Sequence, residues 1–140
     1  MKISARNALA GKVTKVVKGA VNSEVDLTLT GGEKVVAVIT NSSADGLGLK
    51  EGTAAYAIIK ASDVIIAKEA GKVSARNVLS GTVAQVEDGA VDSVVTLKLT
   101  GGASLVAVIT KESVKSLGLK SGESASAIIK ASHVIVGVDH

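Results

Sequence analysis

The sequence predicts an all-β protein made of two five-stranded barrels in tandem, each carrying one short helix. Three observations carry that prediction. The chain of 140 residues repeats itself: sliding it by 70 positions aligns residues 4–67 with 74–137 without a gap, and 38 of the 64 pairs are identical. A match of that quality means two domains of one fold, 1–69 and 70–140. The apolar content of 46% is Val, Ile, Leu and Ala in short β-branched runs, with aromatics at only 1%, which favours strands. Fifteen glycines and no proline fit short strands joined by tight turns.

The elements of one copy follow in order. Residues 9–17 alternate loosely and predict the first strand, with Gly19 opening a turn. Val25, Leu27 and Leu29 alternate with Asp26, Thr28 and Thr30, the pattern of a strand with one wet face. Gly31-Gly32 marks a hairpin, and residues 34–40 return. The one helical candidate is 42–47, matched by 112–117, with Thr40 or Thr110 placed to cap it and Leu-Gly-Leu ending it. Residues 54–60 and 64–67 predict the last two strands. Five strands and a short helix point to a barrel of the oligonucleotide/oligosaccharide-binding type. The joint, residues 68–72, is short and polar, so the copies should sit close together.

A domain of half this length buries little surface, and there is no cysteine to staple it, so oligomerisation is the expected remedy. The first residues hold no apolar stretch suited to a signal peptide, and no run is long enough to cross a bilayer. An intracellular, soluble protein starting at Met1 is therefore expected. The formal charge of +3 suits small anions and argues only weakly for nucleic acid. A lone tyrosine, Tyr56, cannot supply the stacking platform that single-stranded nucleic acid needs.

Catalysis finds no foothold. The histidines, His133 and His140, have no counterpart in the other copy. Glu24, Asp26, Glu87 and Asp88 fall on turns or wet faces, where carboxylates are ordinarily solvated. No phosphate loop, zinc spacing or nucleophile motif occurs.

Three polar clusters are kept in both copies while neighbours change. They are Ser4-Ala5-Arg6-Asn7 with Ser74-Ala75-Arg76-Asn77, Thr40 and Ser43 with Thr110 and Ser113, and Lys60-Ala61-Ser62 with Lys130-Ala131-Ser132. Together they offer a guanidinium, an ammonium, hydroxyls and backbone amides, the donor set a tetrahedral dianion requires. Thr40 and Ser43 would stand at a helix start, where free N–H groups favour an anion. The same two residues also fit plain capping, and Arg6 and Lys60 fit ordinary surface charge, so the residues alone leave both readings open.

On these residues the chain resembles the molbindins, molybdate-binding proteins built from Mop (TOBE-type) domains, in their tandem form. The resemblance rests on the SARN block, the GAV turn, VIT-x-x-S, L-G-L-K-x-G and the AIIKAS strand, and covers almost the whole chain twice. It implies a compact barrel with chains intertwined so that one sheet completes another, assembled as a cytoplasmic homotrimer that needs neither cofactor, nucleic acid nor membrane. Molybdate or tungstate would bind between domains, for storage or buffering. Ser4 and Arg6 of one domain would meet Thr40, Ser43, Lys60, Ala61 and Ser62 of another. In the second copy the set is Ser74, Arg76, Thr110, Ser113, Lys130, Ala131 and Ser132. A second type of site is implied at the Gly19-Ala20-Val21-Asn22 turn and at Gly89-Ala90-Val91, where Asp92 replaces Asn22 and would repel an anion. A ligand-sensing module of a molybdate-responsive regulator or transporter ATPase is the alternative the same resemblance allows.

Overall fold

The computed structural model describes all 140 residues. The first copy runs β1 (Asn7–Lys18), β2 (Asn22–Leu29), β3 (Lys34–Thr40), α1 (Asn41–Gly46), β4 (Ala54–Ile59), a 3₁₀ turn (Ala61–Asp63) and β5 (Ile65–Ala67). The second repeats it as β6 (Asn77–Asp88), β7 (Asp92–Leu99), β8 (Ser104–Thr110), α2 (Lys111–Leu117), β9 (Ser124–Ile129), a 3₁₀ turn (Ala131–His133) and β10 (Ile135–Gly137). Strands and helix fall within three residues of their expected ends. The 3₁₀ turn was not expected, because three residues are too few to show a period.

The strands form two curled antiparallel sheets, ordered β10-β4-β1-β2-β3 and β5-β9-β6-β7-β8. The fifth strand of each sheet comes from the other copy: Ile135 pairs with Ile58, and Ile65 pairs with Ile128. The exchange expected between chains thus occurs here between the two copies of one chain. The boundary of the sequence repeat is not the boundary of either sheet.

Alternation dictates the core. Val25 and Leu27 of β2 and Val35 and Ala37 of β3 are fully buried, as are Val95, Leu97, Leu105 and Ala107 opposite them. These side chains belong to one continuous apolar cluster that runs through both sheets and takes in Val64, Ile66, Val134 and Val136 around the exchanged strands. Burying each Val or Leu stabilises by about 1.5–3 kcal/mol, so separating the copies would expose the core of both. Each long first strand bends at a bulge, between Val13 and Lys15 and again between Val83 and Gln85, which lets one strand pair with two partners as the sheet curls.

Two further contacts fix how the copies meet. The hairpin turns pack face to face so closely that a Cβ on Gly31 would lie 2.6 Å from the Gly101 carbonyl oxygen. Asn7 and Asn77 are each 1% exposed, and their side-chain amides act as extra peptide groups on the other copy. Val106 N donates to Asn7 Oδ1 at 2.7 Å, and Asn7 Nδ2 donates to the Val106 carbonyl at 2.8 Å. Asn77 holds Val36 with the same two bonds, at 2.7 and 2.8 Å. No helix is long and apolar enough to cross a membrane.

Candidate functional site

The register of β1 on β4 builds the site. Asn7 lies opposite Ile59 and Ala8 opposite Ile58, so the segments that leave these strand ends, Ser4 to Arg6 and Lys60 to Ser62, start side by side. In the second copy Asn77 lies opposite Ile129, so Ser74 to Arg76 and Lys130 to Ser132 start side by side in the same way. Asn7 and Asn77, anchored in the other copy, hold the residue before them at the sheet end. Both segments leave the strands there, and the 3₁₀ turn begins, its first internal bond running from Asp63 N to the Lys60 carbonyl at 2.9 Å. The amides of Ala61 and Ser62 precede that bond and have no partner inside the turn.

These segments line two matching cavities of about 580 Å³ each. The first is lined by Ser4, Ala5, Arg6, Lys60, Ala61 and Ser62 and walled by Val108 and Ile135 of the second copy. The second is lined by Ser74, Ala75, Arg76, Lys130, Ala131 and Ser132 and walled by Val38 and Ile65 of the first. Each pocket therefore brings together the Ser-Ala-Arg and Lys-Ala-Ser segments of one copy and closes them with a strand of the other. Apolar walls beside paired cations strengthen attraction for an anion, because less water screens the charge.

Thr40, Ser43, Thr110 and Ser113 do not line either cavity. Thr40 Oγ1 accepts from Ser43 N at 3.1 Å and Thr110 Oγ1 from Ser113 N at 3.1 Å, so the threonines cap their helices as expected. Their placement is nonetheless close by. Thr110 follows Val108 by two residues on the same face of β8, and β8 packs against the Ala61–Asp63 turn. Thr40 stands in the same relation to Val38.

The turns Gly19–Asn22 and Gly89–Asp92 lie apart from both cavities. Each closes on itself, with Gly19 N donating to the Asn22 carbonyl and Gly89 N to the Asp92 carbonyl, both at 2.8 Å. Their tips, Val21 and Val91, are 71% and 74% exposed.

Charge distinguishes the two cavities. Arg76 Nη1 donates to Glu24 Oε1 of the first copy. That bond, followed by the attraction of the guanidinium and of Lys15, holds the Glu24 carboxyl below its ordinary range and raises Arg76 further. Arg6, Lys60 and Lys130 form no ion pair within the chain. Sequence patterning placed Glu24 on a wet face and missed this pair, since its partner lies 52 positions away in the other copy. Another cleft of about 620 Å³ lies over the second sheet, but its Lys68 is committed to Glu123 at 2.7 Å.

The TOBE domain family matches the chain twice, over residues 3–66 and 73–136. The chain is 46% identical over 140 residues to the molybdenum-pterin-binding protein MopA of Rhodobacter capsulatus, covering 99% of this chain and 53% of that one. It is 42% identical to the molybdenum transport protein ModE of Herbaspirillum seropedicae, covering 99% of this chain and 52% of the relative. The chain spans about half the length of these curated relatives. One copy matches nearly all of a smaller protein, the molybdenum-pterin-binding protein 3 of Clostridium pasteurianum, at 53% identity over 66 residues, 47% of this chain and 97% of that one. Among solved structures, the cytoplasmic molybdate-binding protein ModG with molybdate bound superposes with a TM-score of 0.96 at 51% identity, covering 99% of both chains.

Proposed function

The chain belongs to the TOBE domain family, whose domain it carries twice, and from that membership we propose that it binds molybdate or tungstate reversibly and catalyses nothing. The observation that carries this reading is that Arg6 and Lys60 line one cavity and Arg76 and Lys130 its counterpart. Like charges lining one cavity repel. A doubly negative tetrahedron between them turns that repulsion into attraction. The guanidinium fork, the ammonium, the paired serines and the first amides of the 3₁₀ turn then replace its water shell. Full-length likeness to ModG, whose structure holds molybdate, supports the choice of anion.

In this reading the protein acts in the cytoplasm as a store or buffer, releasing its cargo by mass action. It assembles as a homotrimer. Thr40, Ser43, Thr110 and Ser113 extend the cavities, and the Gly19–Asn22 turns of neighbouring chains form the second type of site. Binding at shared sites would stabilise the assembly by linkage. Calorimetric titration with sodium molybdate tests the assignment. The wild type saturates, and Arg6→Ala combined with Arg76→Ala abolishes most of the heat. Unchanged affinity in the double variant overturns the site.

A second reading has one observation in its favour: ModE and MopA match over only about half their length. The same two domains would then serve as the oxyanion-sensing half of a longer regulator. The full-length match to ModG favours the binding protein. Reading the coding frame upstream of Met1 separates the two: an open frame encoding a DNA-binding domain selects the regulator.

A further inference from the structure

We infer that Glu24 is a built-in competitor for the oxyanion at the Arg76 cavity, so that the two copies bind with unequal affinity. The inference rests on the oxyanion reading above and deepens it.

The geometry is specific to one copy. Glu24 of β2 lies directly across from Val38 of β3, and Val38 walls the Arg76 cavity. From there its carboxylate reaches Arg76 and forms the ion pair. Asp26, two residues along the same face of β2, adds its field to that of Glu24 on Arg76. The equivalent residues facing the Arg6 cavity are Val94, across from Val108, and Thr96. Val108 walls that cavity as Val38 walls the other. Neither Val94 nor Thr96 can carry a charge.

The charge balance of the two cavities follows. Arg6 and Lys60 together meet a dianion with two positive charges and nothing to displace. Arg76 and Lys130 offer the same two charges, but Glu24 already neutralises one of them. An oxyanion entering there must either break the Arg76–Glu24 pair or accept a carboxylate at its side. Both groups are partly exposed, 50% for Arg76 and 34% for Glu24, so water weakens the competition without removing it. The penalty is about five-fold in affinity, the upper range for exposed ion pairs. The first copy thus fills at low anion concentration and the second only as supply rises, which widens the range over which one chain buffers its cargo.

Titration with sodium molybdate in single-cavity backgrounds tests this. Arg6→Ala leaves only the Arg76 cavity working, and in it Glu24→Gln, of nearly equal volume, or Glu24→Val, the residue the second copy carries, tightens binding about five-fold. With Arg76→Ala, leaving the Arg6 cavity, Glu24→Gln changes nothing, whereas Val94→Glu weakens binding. Circular dichroism confirms that each variant is folded. If Glu24→Gln and Glu24→Val both leave the Arg76 cavity within two-fold of its parent, the inference is overturned while oxyanion binding stands. A wild type that takes up no molybdate overturns both.

Discussion

Asn7 gives the sharpest test of how the two copies are joined. Replacing it with alanine deletes a side chain that is 1% exposed and removes three bonds. Val106 N loses its acceptor at 2.7 Å, the Val106 carbonyl its donor at 2.8 Å, and the Ile59 carbonyl a weaker donor at 3.2 Å. Each hydrogen bond contributes about 0.5–1.5 kcal/mol net, and a buried backbone group left without a partner costs about 1–3 kcal/mol. Two such groups on β8, partly reachable by water, give an expected loss of about 2–4 kcal/mol. Asn77→Ala should cost slightly less, because it holds Val36 through two bonds only. Asn7→Asp separates donor from acceptor: it keeps the acceptor for Val106 N but aims an oxygen at the Val106 carbonyl. It should therefore be at least as damaging as alanine at neutral pH and recover partly in acid. Urea unfolding followed by far-ultraviolet circular dichroism, at one fixed protein concentration, measures all three. If Asn7→Ala lies within about 0.5 kcal/mol of wild type, the range of an ordinary surface substitution, the bonds to Val106 do not hold the copies together.

Two other expectations are independent of the site. Tyr56, the sole tyrosine, donates to Asp139 Oδ2 at 2.9 Å, and that bond, reinforced by the negative charge of the carboxylate, raises its ionisation above the ordinary 10.0. The bond's contribution to stability is therefore complete below pH 10.0 and lost as pH rises through the folded value. Phenolate absorbance should titrate at higher pH in the folded wild type than in Asp139→Asn, and identical curves would remove the bond. Gly31→Ala should lower the melting temperature, since its Cβ would press on the Gly101 carbonyl at 2.6 Å and overpacking costs about 1–3 kcal/mol. Gly46→Ala, with open space around it, serves as the control and should not lower it.

Much of this architecture is legible in the residues. Alternation of Val25, Leu27 and Leu29 places β2, the Gly31-Gly32 pair places the hairpin, and Thr40 places the helix start, because each depends on neighbours a few positions away. The donor segments are legible for another reason: duplication kept Arg6, Lys60 and Ser62 while their surroundings drifted. What the sequence could not disclose is long-range pairing. Ile65–Ala67 reads as an edge strand of its own copy, and nothing local says that β9 rather than β4 receives it. Asn7 reads as one more donor beside Arg6, though its amide is spent on β8. Glu24 reads as solvated, because the guanidinium it meets belongs to the other repeat. The expectation that Ser4 and Arg6 meet the Lys-Ala-Ser segment of a different domain also turns on pairing. Within the chain, the β1–β4 register brings the two segments of one copy together and leaves the wall to the other.

The most direct measurement is a crystal structure of the chain grown with molybdate, its molybdenum located by anomalous scattering. The account predicts a peak between Arg6 and Lys60 beside Ser62, and a second between Arg76 and Lys130 beside Ser132. Molybdenum bound elsewhere, with both cavities holding only water, would contradict it.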